Sequence, residues 1–237
     1  MSTAAVTPNR SVLVIGASRG LGLAVVEEYV GRGARVVATK RGEVATRLDA
    51  LAERTGDSVE VEHVDITQPE QVVALAGRLS GRRFDLLFVV AGVSLAAQDA
   101  IAADVANEDF AAMMVTNVLS TVRTVEALQG LVDPAGTIAI MSSGQGSLTN
   151  NTSGGFEVYR ATKSALNQLM RSYAARHAGE RRTLLLMAPG WVKTDMGGSR
   201  ATLEVSDSVP PLVATVDAQH GTPGLQYLDR HGETIPW

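Results

Sequence analysis

From residue 11 to the end of the chain, short runs of β-branched and aliphatic residues alternate with longer stretches of helical periodicity. Ser11 to Ile15, Ala34 to Thr39, Ser58 to Val64, Phe84 to Val90, Thr137 to Met141, Thr183 to Met187 and Leu225 to Leu228 read as strands. Several are almost wholly apolar, as F-D-L-L-F-V-V at 84–90 shows, which suits strands covered on both faces. Helical patterns run to Gly31 and over 43–54, 68–80, 107–130 and 156–178, and Pro69 stands in the first turn of the third. This alternation predicts an α/β chain with a three-layer, doubly wound parallel sheet of about seven strands, a Rossmann fold with right-handed crossovers. The residues 1–237 read as one domain. Its segment 197–224, with three prolines, reads as a short lid or helix pair, so that 192–220 would form a substrate-side lid.

Sheets of this kind collect ligands at the carboxyl ends of their strands, and the polar residues of interest fall there. G-A-S-R-G-L-G at 16–22 follows the first strand. Gly16, Gly20 and Gly22 let the backbone turn tightly and approach a pyrophosphate, which the free N–H groups of a helix N-terminus would face. The spacing, G-x-x-x-G-x-G, also fits a plain strand-to-helix turn. The second strand ends in Lys40 and Arg41. With Arg19 these cations favour a 2'-phosphate, hence NADP over NAD; the alternative is that Lys40, Arg41 and Arg47 solvate the next helix. Asp65, after the third strand, either accepts from an adenine amino group or caps the following helix. Ala91-Gly92 ends the fourth strand where a cofactor would pass close to the backbone.

The centre of the chain is Ser142 to Lys163, S-S-G-Q-G-S-L-T-N-N-T-S-G-G-F-E-V-Y-R-A-T-K. Tyr159 and Lys163 stand four apart, so on a helix both side chains share one face, with Cβ atoms about 5–6 Å apart. A free phenol titrates near about 10. A neighbouring ammonium favours the phenolate and is expected to lower that value toward the range useful for general acid/base work. Asn117 lies on a largely apolar helix face, either satisfied within the core or holding backbone and water near a site. Ala161, Ala165, Leu169 and Ser172 form a stripe of small or apolar residues, either core or a subunit seam. The methionines Met113 and Met114 read as core filler.

Composition narrows the function classes. A chain of 237 residues with 45% hydrophobic content can bury a large core. A net charge of -4 offers nucleic acid or an anionic membrane no general attraction, and the pair Arg181-Arg182 is a poor nucleic-acid footprint. Without cysteine there is neither thiol catalysis nor a disulfide. The four histidines lie far apart, so no metal site is expected. No apolar run reaches the roughly 20 residues of a membrane span, and the first residues lack a signal-peptide pattern. The expectation is a cytoplasmic protein, in which the glycosylation patterns at Asn150 and Asn151 mark only a polar loop. Ser143 has no G-x-S-x-G elbow of the hydrolase type.

Taken in order, these motifs resemble those of a classical short-chain dehydrogenase/reductase over nearly the full chain. The resemblance implies a catalytic tetrad of Asn117, Ser143, Tyr159 and Lys163. It implies a cofactor site of Gly16, Ser18, Arg19, Gly20, Leu21, Gly22, Lys40, Arg41, Asp65, Ile66, Ala91, Gly92, Pro189, Gly190, Val192 and Thr194, together with Tyr159 and Lys163. Ser143 and Tyr159 would hydrogen-bond a carbonyl oxygen, Lys163 would lower the phenol pKa and hold the nicotinamide ribose, and Asn117 would fix a water. The family usually carries N-N-A-G where this chain has Val89-Val90-Ala91-Gly92. Within the family, G-S-L-T-N-N-T-S-G-G-F, P-G-W-V-K-T-D-M-G-G and the ending G-L-Q-Y-L-D-R-H-G-E-T-I-P-W look most like the C-factor, or C-signal-like, branch of carbonyl reductases, some linked to cell-cell signalling. The implied activity is NADP(H)-dependent reduction of a small, fairly apolar carbonyl, with NAD(H) possible, in a homodimer or homotetramer. The competing reading is a cofactor-binding signalling protein with little turnover.

Overall fold

A computed structural model describes residues 10–237. Seven strands, β1 (Ser11–Ile15), β2 (Arg35–Lys40), β3 (Val59–His63), β4 (Phe84–Val89), β5 (Val132–Met141), β6 (Thr183–Ala188) and β7 (Gly224–Asp229), form one sheet in the order β3-β2-β1-β4-β5-β6-β7. Every neighbouring pair is parallel. The order reverses between β1 and β4, so a crevice opens beyond their carboxyl ends.

Side chains of adjacent strand residues point to opposite faces, and this parity divides the core in two. Val12, Val14, Leu86, Phe88, Ala139 and Met141 join α1 (Gly20–Gly31), α2 (Arg47–Thr55) and α7 (Val205–Ala218) on one face. Leu13, Ile15, Leu87, Val89, Ile138 and Ile140 join α3 (Pro69–Arg78), α5 (Thr121–Leu128) and α6 (Glu157–Arg176) on the other. The near-continuous apolar runs of the sequence are thus both halves of a three-layer packing.

Three expectations need correction. The helix expected over 43–54 begins at Arg47, because Thr46 accepts from the Leu48 N–H and exchanges a capping box with Asp49. The pattern at 107–130 is one helical rod with a change of pitch: α4 (Asn107–Met114), a π turn at Val115–Ser120, then α5. Half of the segment read as a lid or helix pair is the single core helix α7. Pro210 and Pro211 lie inside it, each costing about 3 kcal/mol in a helix interior. Val209, Leu212, Val213 and Val216 are all buried, and at about 1.5–3 kcal/mol each their transfer from water offsets both prolines. Only 192–204 stays outside the core layers as a loop over the crevice.

Candidate active site

The glycine turn after β1 is shaped by close contacts. Gly16 sits at φ +89, where a Cβ would come within 2.8 Å of Ala91, and its N–H donates to Thr39 Oγ1 at 2.9 Å. A Cβ on Gly22 would stand 2.1 Å from the Gly16 carbonyl oxygen. Gly20, at φ +57, meets nothing closer than Thr194 at 3.8 Å, so its open side faces the crevice. Arg19 occupies the N-cap of α1 with no side-chain cap and no acidic residue in the first turn. The first N–H groups of α1 are therefore available to an anion, the arrangement a pyrophosphate requires.

Every expected cofactor residue lies at this carboxyl edge, with different tasks. Ser18, Gly20 and Leu21 surround the turn, and Ala91 and Gly92 follow β4. The Val90 and Ala91 N–H groups both donate to the Ile15 carbonyl, at 2.9 and 3.0 Å, so the backbone ties β4 to β1 where the family usually has asparagines. Pro189, Gly190, Val192 and Thr194 follow β6, and Val192 bridges to Leu203. Ile66 and Val192 are buried, so they shape the loops from beneath. Asp65 Oδ1 accepts from both the N–H and the hydroxyl of Thr67, at 2.9 and 2.7 Å. One carboxylate oxygen thus holds the turn before α3, and the other has no such duty.

The three cations expected at the 2'-phosphate, Lys40 and Arg41 at the end of β2 and Arg19 at the N-cap of α1, separate. Lys40 is only 4% exposed, and its Nζ bonds Asp49 at 2.7 Å and the Val44 carbonyl at 3.2 Å. That bond holds the Asp49 carboxyl down at about 2. Lys40 therefore anchors the start of α2, whereas Arg41 is exposed and Arg19 forms an exposed ion pair with Asp195 at 2.7 Å across the crevice.

The four residues of the implied tetrad come together from three elements. Asn117, fully buried in the π turn, accepts from the Val93 N–H at 2.8 Å and donates to the Val93 carbonyl at 2.8 Å. Its amide also donates to Thr162 Oγ1 at 3.2 Å, and Thr162 in turn donates to the Tyr159 carbonyl at 2.8 Å. Both ends of the amide are spent on protein groups, so Asn117 fixes the strand-end loop against α6. Ser143, just past β5, lies beside Tyr159, and its hydroxyl accepts from the Gln145 N–H at 3.2 Å. Lys163 lies with its Nζ 5.7 Å from the centre of the Tyr159 ring and donates to the Met141 carbonyl at 2.9 Å.

The electrostatics differ from the expectation. Burial pushes the Tyr159 phenol up to about 12, the Ser143 hydroxyl beside it pulls the other way, and nearby Tyr227 adds to the rise. Burial also pushes Lys163 down to about 8. The ammonium lies over the ring and bonds a backbone carbonyl, so desolvation governs both groups. Thr162, Asn167 and Tyr227 are site residues that sequence reading passed over. Only the position of Thr162, inside Y-x-x-x-K, gave any signal.

Residues 10–204 match the short chain dehydrogenase family. The chain belongs to that family. A Burkholderia multivorans short-chain dehydrogenase/reductase solved with bound NADP is similar at 50% identity, covering 97% of this chain and 100% of that one, with a TM-score of 0.95. A carbonyl reductase from Pseudomonas aeruginosa PAO1 in complex with NADP is 36% identical over 97% of this chain and 100% of its own, with a TM-score of 0.89. The C-signal protein of Myxococcus xanthus is 38% identical over 136 residues, which is 56% of this chain and 82% of that protein. No helix among the described residues is long and apolar enough to cross a membrane.

Proposed function

We propose that this short-chain dehydrogenase is an NADP(H)-dependent oxidoreductase acting on a small, fairly apolar carbonyl or secondary alcohol. The observation that carries this reading is Tyr159 with the Lys163 ammonium 5.7 Å from its ring centre, beside Ser143 at the end of β5 and the uncapped N-terminus of α1. Bound at that edge, the nicotinamide supplies or takes the hydride. Gly20, Leu21 and Gly22 would hold the pyrophosphate on the α1 N–H groups, Arg19 and Arg41 the 2'-phosphate, and the free oxygen of Asp65 the adenine amino group. Thr194 would reach the carboxamide.

The chain's own residues then handle the carbonyl. Ser143 and Tyr159 donate toward its oxygen, where negative charge develops, and oriented donors at that point supply the largest share of catalysis. Tyr159 passes its proton to the oxygen in reduction and recovers it in oxidation. Lys163 places a positive charge at the ring and keeps the resulting phenolate from being isolated. Leu95, Leu148, Trp191 and Met196 present exposed apolar surface on the loops around the mouth, and Phe156 packs edge-on against Trp191 at 6.2 Å. Gln98 clasps these loops, its carbonyl accepting from the Phe156 N–H and its side chain from Arg200.

The test is NADPH absorbance followed against a panel of carbonyl compounds, with NADH in parallel. Turnover preferring NADPH is expected, and Tyr159→Phe should bind cofactor normally while turning over roughly a hundredfold more slowly or worse. Parental turnover in that variant would refute the assignment. A second reading, a C-signal-like protein that uses the fold for signalling, draws on the likeness to C-signal and on Val89-Val90. It predicts NADPH binding without oxidation by any carbonyl. We place the protein in the cytoplasm, where NADPH is supplied, and read the exposed Phe110, Val115, Leu119 and Leu169 as a homodimer face. Ala161, Leu169 and Ser172 are exposed as well, so that stripe lies outside the core. Light scattering on the parent and on Leu119→Glu checks this: the dimer should become a monomer.

A further inference from the structure

Strand β5 ends its ladder at Met141, and the last sheet bond there runs from the Ser142 N–H to the Met187 carbonyl. Ser143 follows in extended conformation, φ -160 and ψ 147, beyond the ladder. The direction of its hydroxyl depends on how this peptide is held, because a side chain follows its own backbone.

The hold comes from β7, two strands away. Tyr227 is 1% exposed, and its hydroxyl donates to the Ser143 carbonyl. Asn167 on α6 accepts from Ser142 Oγ at 2.7 Å through its side-chain oxygen, and its amide donates to the Gly146 carbonyl at 3.4 Å. Two consecutive serines are thus each held from outside the strand, Ser142 by Asn167 and Ser143 by Tyr227. Tyr227 is held in turn. Past Asp229 the chain folds back along the outer edge of β7, with the Ile235 N–H donating to the Tyr227 carbonyl at 2.9 Å. Trp237 then packs at a tilt against Tyr227, with ring centres 5.3 Å apart and planes inclined by 39°, under the Arg171 guanidinium at 4.5 Å. The Trp237 carbonyl accepts from Thr149 twice, from its N–H at 3.1 Å and its hydroxyl at 2.6 Å. Thr149 belongs to the same loop as Ser143, so the I-P-W ending grips both sides of that loop.

We propose that Tyr227, braced by Trp237, is a positioning residue that sets the catalytic geometry of Ser143. This rests on the carbonyl-reductase reading above, in which Ser143 contacts the substrate. Its chemistry is mechanical: a phenol on β7 donates to a carbonyl that otherwise accepts from the Gly146 N–H of its own turn at 2.9 Å, and an indole packed against the phenol keeps it from turning away.

The experiment uses the full chain carrying Tyr227→Phe, Trp237→Ala or Trp237→Phe, with Tyr173→Phe as comparator. Tyr173 is also fully buried and donates through its hydroxyl, to Gln129 at 2.6 Å, on the far part of α6. Its loss costs a buried hydrogen bond without touching Ser143. Tyr227→Phe is expected to lower kcat about tenfold, the scale of a small misplacement of a reacting group, while KM for NADPH stays within about twofold. Trp237→Ala should lose roughly threefold and Trp237→Phe should restore it, since a ring is retained to pack. Amide hydrogen exchange across residues 142–150, measured without cofactor or substrate, should speed up in Tyr227→Phe and Trp237→Ala and remain parental in Tyr173→Phe. Parental exchange across 142–150 in Tyr227→Phe overturns the proposal, as does an equal loss of kcat in Tyr173→Phe. Failure of the underlying reading has a different signature: no carbonyl oxidises NADPH with the parent protein, or Tyr159→Phe retains full turnover, while the exchange measurement still decides whether the brace exists.

Discussion

Tyr159 keeps its proton to about pH 12 and Lys163 keeps its own only to about 8, both because burial disfavours whichever form carries charge. For the reductive direction this is favourable, since the phenol is protonated across the working range. The specificity constant for NADPH reports groups of the free protein. It should stay level to about pH 8 and fall above it as the Lys163 ammonium is lost, with the phenol contributing no change below pH 12. A pH profile from 6 to 10 in roughly half-unit steps checks this; a fall beginning near the free-phenol value of about 10 would contradict it. The cations expected at the 2'-phosphate give a second residue-scale prediction. Arg41→Ala and Arg19→Ala should each weaken NADPH by roughly tenfold and NADH little, the loss of one charge-assisted phosphate contact. Lys40→Ala should instead lower stability, by about 1–3 kcal/mol in urea unfolding, because it strips a partner from Asp49 and the Val44 carbonyl. Sequence reading grouped these three cations because it saw their spacing. The capping box that captures Lys40 depends on where α2 begins.

At the scale of elements, the glycine turn and α1 were legible because their constraint is local. Three glycines in seven residues after an apolar run describe a turn whose backbone must pass close to another chain segment. The clash partners, Ala91 for Gly16 and the Gly16 carbonyl for Gly22, belong to the folded arrangement. Gly22→Ala is expected to cost about 3 kcal/mol or more in denaturant unfolding, since a Cβ 2.1 Å from a backbone oxygen must displace the turn. Gly20→Ala, with open space on that side, should be milder in stability and worse in cofactor affinity. Helix α7 is the opposite case. The prolines of its segment argued for a short lid or helix pair on local grounds, and the buried row Val209, Leu212, Val213 and Val216 against α1 and the sheet makes it one core helix. The π turn at Asn117 escaped for a similar reason: a sequence pattern reports periodicity, and a single widened turn shifts it by less than one residue.

For the whole molecule, all four tyrosines are held above their ordinary titration. Tyr159, Tyr173 and Tyr227 are pushed up to about 12 and Tyr29 is also held well above its ordinary value, with burial the first cause in each. In the unfolded chain the same phenols release protons near about pH 10. Between pH 10 and 12 the folded state therefore binds more protons than the unfolded one, and stability falls as pH rises. An ultraviolet titration should show little phenolate until a cooperative alkaline transition within that window; gradual ionisation near pH 10 with the fold intact would contradict it. Asp217, which receives Arg10, Arg32 and Tyr29 from the opposite side of α1, ties α7 to the start of the sheet.

The chain by itself determined the order of strands and helices, and it pointed to the carboxyl edge, to Tyr159, Lys163 and Ser143, and to the glycine turn as the candidate site. Those features follow from periodicity and from residues close together in the chain, where steric and electrostatic rules act locally. Tertiary structure decided which partners the polar groups take. Asn117 spends its amide on Val93, Lys40 turns to Asp49, and burial raises the phenol that a neighbouring cation was expected to lower. It also brought Tyr227 and Trp237, some seventy to ninety residues along the chain, onto the Ser143 loop. Hydrogen bonding and desolvation depend on distance and solvent access in the folded molecule, and neither is written in the spacing of residues along the chain.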